Sequence, residues 1–162
     1  MGYVHNTHMA KQIPLASITP TVGTWAMAVA SNVWTLNKTA GDNTSILHIP
    51  LDPPQNSQAF AGAKVTSIEL YYINATANLE AVSAKIYKTT LPAAGGSCAA
   101  AELASSVSGN LLTQAQQKMI ITPTTPFYIT EKENIAVELT IDAAAGSVVK
   151  IQGVVVNYTL RV

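Results

Sequence analysis

Charge is the first thing this sequence lacks. Only 11% of its residues are Asp, Glu, Lys or Arg, against about 25% in an ordinary globular domain. Nine basic residues balance nine acidic ones, so no field of either sign directs the chain toward nucleic acid or an anionic membrane. Arg161 is the sole arginine, and the planar fork that suits phosphate sites is otherwise missing. Cysteine is almost absent too: Cys98 stands alone, which excludes an intramolecular disulfide framework. It sits among small residues with no neighbouring base and reads as an incidental thiol. Long apolar runs are also missing. Nothing approaches the length of a membrane-crossing helix, and residues 1 to 20, with His5, His8 and Lys11, hold no run long enough for a signal-peptide core. Synthesis in the cytoplasm is the expectation.

The residues of catalysis are thin as well. With three histidines, a zinc site would have to rest on His5 and His8, a single close pair, and zinc needs three or four converging ligands. His48 lies between Leu47 and Ile49, facing away from the leucine side of a strand. No Gly-x-Ser-x-Gly elbow is present, and no glycine-rich phosphate loop follows a strand. Glu69, Glu138 and Asp142 alternate with core positions and read as solvent-facing, while Glu80, Asp42, Asp52, Glu131 and Glu133 fall at turns or loops. Asp42, Asn43 and Asp52 lack the dense Asp-x-Asp-x-Asp spacing of a calcium loop. The sequence therefore points to a protein that is not an enzyme, with no metal and no cofactor. Sequons at Asn37, Asn43, Asn74 and Asn157 are read as the threonine-rich composition of β proteins.

What the chain has in quantity is apolar residues in short alternating runs. They make up 48% of its 162 residues, and the mean hydropathy is positive. Lys64 to Ile73 places Ile68, Leu70 and Tyr72 on one face, and Leu79 to Thr89 aligns Val82, Ala84 and Ile86; the turn between them suggests a hairpin. Ile135, Val137, Leu139 and Ile141 alternate likewise. Val148 to Leu160 turns Val154, Val156, Tyr158 and Leu160 inward, with Val149, Ile151 and Val155 on the opposite side, as if this strand were covered on both faces. Two further strands flank Ser31-Asn32, and Ser45 to Leu51 is a strand whose Pro50 argues for a sheet edge. A short helix is expected near Ala99 to Ser105, where alanine favours it. Pro14 and Pro20 make residues 1 to 20 an extended arm, and residues 21 to 162 a single all-β domain. Eight or nine strands with turns between them predict an antiparallel two-sheet sandwich of jelly-roll type.

A surface so poor in charge must be kept wet by Thr, Ser, Asn and Gln or be covered by neighbouring subunits, and the low charge favours covering. The alternation in Gly62-Ala-Lys-Val-Thr-Ser-Ile-Glu-Leu-Tyr-Tyr72 and the closing Val154-Val-Val-Asn-Tyr-Thr-Leu160 resemble small bacteriophage virion jelly-roll proteins, such as capsid decoration or head and tail fibre domains. That resemblance implies a non-enzymatic structural protein located in the virion, or otherwise in the cytoplasm. It also implies a homo-oligomer, with a trimer as the guess, that meets other capsid or assembly subunits through its arm. Ile13, Leu15 and Ile18 on the arm, and Tyr71 on the outer face of its strand, are then the candidate protein contacts. The alternative is a carbohydrate-binding module, with a glycan stacked on exposed rings drawn from Trp25, Trp34, Tyr71, Tyr72, Tyr87, Tyr128 and Tyr158. In a sandwich most such rings fill the core, and Tyr71 is the one the pattern turns outward.

Overall fold

The computed structural model describes residues 6–38, 41, 44–53, 63–92, 96–109, 111–130, 132–144 and 146–161. Within them the strands are β1 (Asn6–Ile13), β2 (Thr19–Val22), β3 (Trp25–Ala30), β4 (Val33–Lys38), β5 (Thr44–Leu51), β6 (Ala63–Asn74), β7 (Ala81–Thr90), β8 (Ala99–Leu103), β9 (Ser105–Ser108), β10 (Gln116–Pro123), β11 (Phe127–Tyr128), β12 (Glu133–Asp142) and β13 (Val149–Arg161). They form two antiparallel sheets. One runs β3-β4-β13-β6-β10-β9, with β1 also on β13 and β11 on β6; the other runs β2-β5-β12-β7-β8. The all-β, jelly-roll-like sandwich expected from alternation is the observed fold.

The core follows from period-2 burial. On β5, Leu47, Ile49 and Leu51 are buried, and on β12 so are Ile135, Val137, Leu139 and Ile141. Leu47, Ile49 and Leu51 pair directly with Leu139, Val137 and Ile135 across the ladder, while Ala84 and Ile86 of β7 join from the other side. The facing sheet supplies Val65, Ile68, Leu70 and Tyr72 of β6 with Met119 and Ile121 of β10. Burying each aliphatic side chain of this kind stabilises the fold by about 1.5–3 kcal/mol before entropy is subtracted. Pro50 lacks an N–H to donate, and β2 pairs β5 only as far as His48. Pro50 thus sits where the outer neighbour has ended, at a local edge.

Several pairings differ from expectation, and each has a physical reason. The alternating segments β6 and β7 are not a hairpin: β6 pairs β13 and β10, whereas β7 pairs β12 and β8. Alternation fixes which face of a strand is buried but not which strand lies beside it. The helix expected near Ala99 to Ser105 is instead β8 and the start of β9, because ladder bonds to β7 and β10 outweigh the helix preference of alanine. β13 is not covered on both faces either. Ile151 pairs Tyr72 and Gly153 pairs Tyr71, which leaves Gln152 as an extra residue. This β-bulge reverses the parity, so Val149 and Ile151 point into the same core as Val154 and Val156.

The expected arm belongs to the sandwich over its described part. β1 pairs β13 through eight register partners, from Asn6↔Arg161 to Ile13↔Val154. A 3-10 turn (Leu15–Ser17) then leads the chain across to β2 in the other sheet. The prolines prevent an α-helix, as expected, but an edge strand and a single tight turn suit them.

Candidate functional site

Two strands share one edge of β13. β4 pairs it at Lys150 and Ile151, and β1 takes over from Val154. Gln152, the bulge residue, lies at the changeover. From that point the β3–β4 hairpin diverges from β1. Its turn is closed by Ser31 and Asn32 at φ 50° and 64°, the left-handed pair that a tight two-residue hairpin requires.

The divergence exposes the side of the hairpin that starts out facing the core. Trp25↔Lys38, Met27↔Leu36 and Val29↔Trp34 are cross-strand partners on one face. Lys38 and Leu36 are 2% and 4% exposed, whereas Trp34, two residues further along, is 60% exposed. Met27, Val29 and Val33 are exposed beside it. A groove of about 590 Å³ lies there. Trp34, Met27 and Val33 form one wall, Ile13, Pro14, Leu15 and Ala16 line the opposite side, and the amides of Gln12, Asn32 and Gln152 complete it. No lining residue carries an ionisable side chain. The Gln152 Oε1 is buried and has no hydrogen-bond partner among the described residues, a condition rare enough in folded proteins to require an explanation. With no acid or base in its walls, the groove offers nothing for general acid–base chemistry. A flat apolar ring with three neutral amides can hold a ligand that is itself part apolar and part hydrogen-bonding.

The sequence-derived contact residues are distributed differently from expectation. Ile13, Leu15 and Ile18 are 2%, 9% and 6% exposed. They are core residues of their own chain and are not available to a partner, because β1 and the 3-10 turn seal the edge between the sheets. Ile13 and Leu15 also underlie the groove. Tyr71 does face outward, yet it is only half-exposed and fully engaged. Its hydroxyl donates to Glu69 Oε2, and Lys118 Nζ sits 5.5 Å from its ring centroid. Lys118 also pairs with Glu69 at 2.8 Å, and Asn157 Nδ2 donates to the Glu69 Oε1 at 3.2 Å. The hydrogen bonds from Lys118 and then Tyr71 hold the Glu69 carboxyl below its ordinary range, and Glu69 in turn raises Lys118. Tyr71 and the groove do not form one site.

Other candidates remain apart. His48 is exposed on the outer face of the second sheet, opposite Glu138 and Thr19. A shallower groove of about 380 Å³ there includes Pro50, Asp52, Thr89 and Asn134. Asp52 is engaged by Lys11 at 2.7 Å. His5, Asp42, Asn43 and Glu131 lie outside the described residues. Among the described residues no three His, Cys, Asp or Glu side chains gather as a metal site would need. Asn74 is buried, its Nδ2 donating to the carbonyls of Leu111 and Thr113. Trp34 is one of the ten aromatic residues of the sequence. The left-handed turn at Ser31-Asn32 was the one local signal that it stands on a projecting hairpin.

No protein-family model and no curated protein sequence matches the chain. Solved structures similar to it include TmCBM61 in complex with β-1,4-galactotriose, at 12% identity and TM-score 0.37, over 96% of this chain and 88% of that one. Another is the low-affinity xylan-binding module CBM86 from Roseburia intestinalis, at 13% identity and TM-score 0.42, over 94% and 96%. A mutant of the family 29 carbohydrate-binding module CBM29-2 is similar at 9% identity and TM-score 0.41, over 94% and 92%. The expectation of a self-associating virion subunit is corrected at this point. The three structures named are described as carbohydrate-binding modules, and none of them as a capsid or fibre subunit. Of nine exposed large hydrophobic residues among those described, four fall within residues 27–34 and the rest are scattered.

Proposed function

We propose that this chain is a carbohydrate-binding module that holds a neutral glycan in the groove between the β3–β4 hairpin and the Ile13–Ala16 turn, without a catalytic step. The observation that carries the reading is Trp34, an indole 60% exposed in a groove whose other polar groups are the uncharged amides of Gln12, Asn32 and Gln152. A sugar ring presents a face of C–H groups and a rim of hydroxyls. The face packs on a flat aromatic surface, as apolar groups do on any large ring. The rim exchanges hydrogen bonds with amides, which both donate and accept. The groove's volume lies within the range of about 300–1,000 Å³ usual for small-ligand sites. An uncharged lining also means that no ion must be stripped of water when a neutral ligand enters.

Affinity electrophoresis through gels containing soluble neutral polysaccharides, together with a glycan array, tests this directly. The expected result is retardation by at least one neutral polysaccharide and its loss in Trp34→Ala. Absence of retardation and of array binding across the panel overturns the reading, as does binding that Trp34→Ala leaves intact.

A further inference from the structure

We infer that Gln152 is a ligand-binding residue of this groove: its Oε1 accepts a hydrogen bond from a hydroxyl of the bound glycan, in a groove whose uncharged lining disfavours a carboxylate at the same position. The inference rests on the glycan-binding reading above and adds to it the class of ligand taken.

Three observations support it. Gln152 is the extra residue of the β13 bulge, and a bulge re-aims a side chain that regular pairing would place elsewhere. It lies where β4 has stopped pairing with β13 and β1 has not yet begun, so the outer edge of β13 is open beside it. Its Oε1 is buried without a partner, although it lines the same groove as Trp34. An unpaired buried acceptor is unfavourable in the free protein, and that cost disappears when rotation of the long side chain brings the oxygen to a ligand hydroxyl. A hydroxyl satisfies it, whereas a uronate carboxylate would shed its water in a groove without a cation among its lining residues. Sites that make a buried hydrogen bond to a ligand hydroxyl discriminate strongly against analogues that cannot make it.

The test compares a neutral polysaccharide that retards the wild-type chain with a uronic-acid polysaccharide of the same linkage type, using wild type, Gln152→Leu and Trp34→Ala. The wild type is expected to bind the neutral polymer and not the acidic one. Gln152→Leu is expected to weaken neutral binding about tenfold or more, the worth of one hydrogen bond, with a thermal midpoint equal to or above the wild type. A residue with a merely structural role would lower the midpoint instead. In the wild type, the side-chain amide resonances of Gln152 should shift when the neutral oligosaccharide is titrated in. Equal Trp34-dependent binding of both polymers, or full affinity in Gln152→Leu, overturns the inference and leaves the glycan-binding reading standing. Binding of neither polymer removes both.

Discussion

Two aromatic residues on the same sheet, one turned outward and one on the face that begins toward the core, have opposite fates. Tyr71 stands in the middle of β6, flanked by β13 and β10, where neighbouring strands deliver Lys118 and Asn157 to its immediate surroundings. Its ring and hydroxyl are both used within the molecule. Trp34 stands on a hairpin that has left the sheet, so no third strand brings side chains to cover it. An exposed ring is therefore available to a ligand only where the sheet runs out, and a central strand position tends to consume whatever it presents. The difference between them comes from the number of neighbouring strands and owes nothing to the alternation that turned Tyr71 outward.

That contrast can be broken at its foundation first. Ile13→Ala is expected to destabilise the fold by about 2–5 kcal/mol, measured by urea unfolding, because Ile13 joins the common core and underlies the groove. A loss near zero would return residues 6–13 to the status of a loose arm. Next, Trp34→Ala should abolish glycan retardation yet change stability by no more than about 0.5 kcal/mol, the usual cost at an exposed position. Tyr71→Phe should do the reverse. It removes the hydrogen bond to Glu69, lowers stability by about 0.5–1.5 kcal/mol, and leaves glycan retardation as in the wild type. Loss of binding in Tyr71→Phe would merge the two regions into one surface and refute the comparison.

The smaller effects concern pH. Glu69 is held below the ordinary carboxylate range by Lys118 and Tyr71, and Glu133 is held there by Lys88. A depressed folded-state pKa contributes stability that is fully present above the unfolded value, 4.5 for Glu69, and is lost as pH falls through the lowered folded value. Glu69→Gln should therefore lower the melting temperature at neutral pH, flatten part of the acid limb, and converge with the wild type at low pH. Glycan affinity should stay level between about pH 5 and 9, since the groove's lining residues hold no titrating group. A bell-shaped binding profile would place the site elsewhere.

Much of the fold could be read from residues alone. Inward positions on β5, β6 and β12 follow from alternation, and the Ser31-Asn32 turn is visible as a break between two strands. The candidate site could not be read in this way. The indole's exposure depends on β4 ending its pairing with β13 after two residues, and Gln152 faces the groove only because one residue is extra in a ladder. Neither leaves a local mark, since both depend on the length and register of a distant strand. For the same reason Ile13, Leu15 and Ile18 looked like contacts for another protein: their apolar spacing is the same whether they bury against a neighbour or against their own sheet.

The sequence by itself determined that this chain is built of strands, which side chains point inward along most of them, and that few charges are available to its surface. Those properties are local, set by the two-residue period of an extended backbone and by the side chains available. The tertiary structure alone decided which strands pair, that the N-terminal segment closes the sandwich, and that Trp34 and Gln152, far apart in the chain, face one groove. Pairing joins residues distant in sequence through backbone hydrogen bonds that every residue type can accept and every type except proline can donate, so composition and periodicity place few constraints on it.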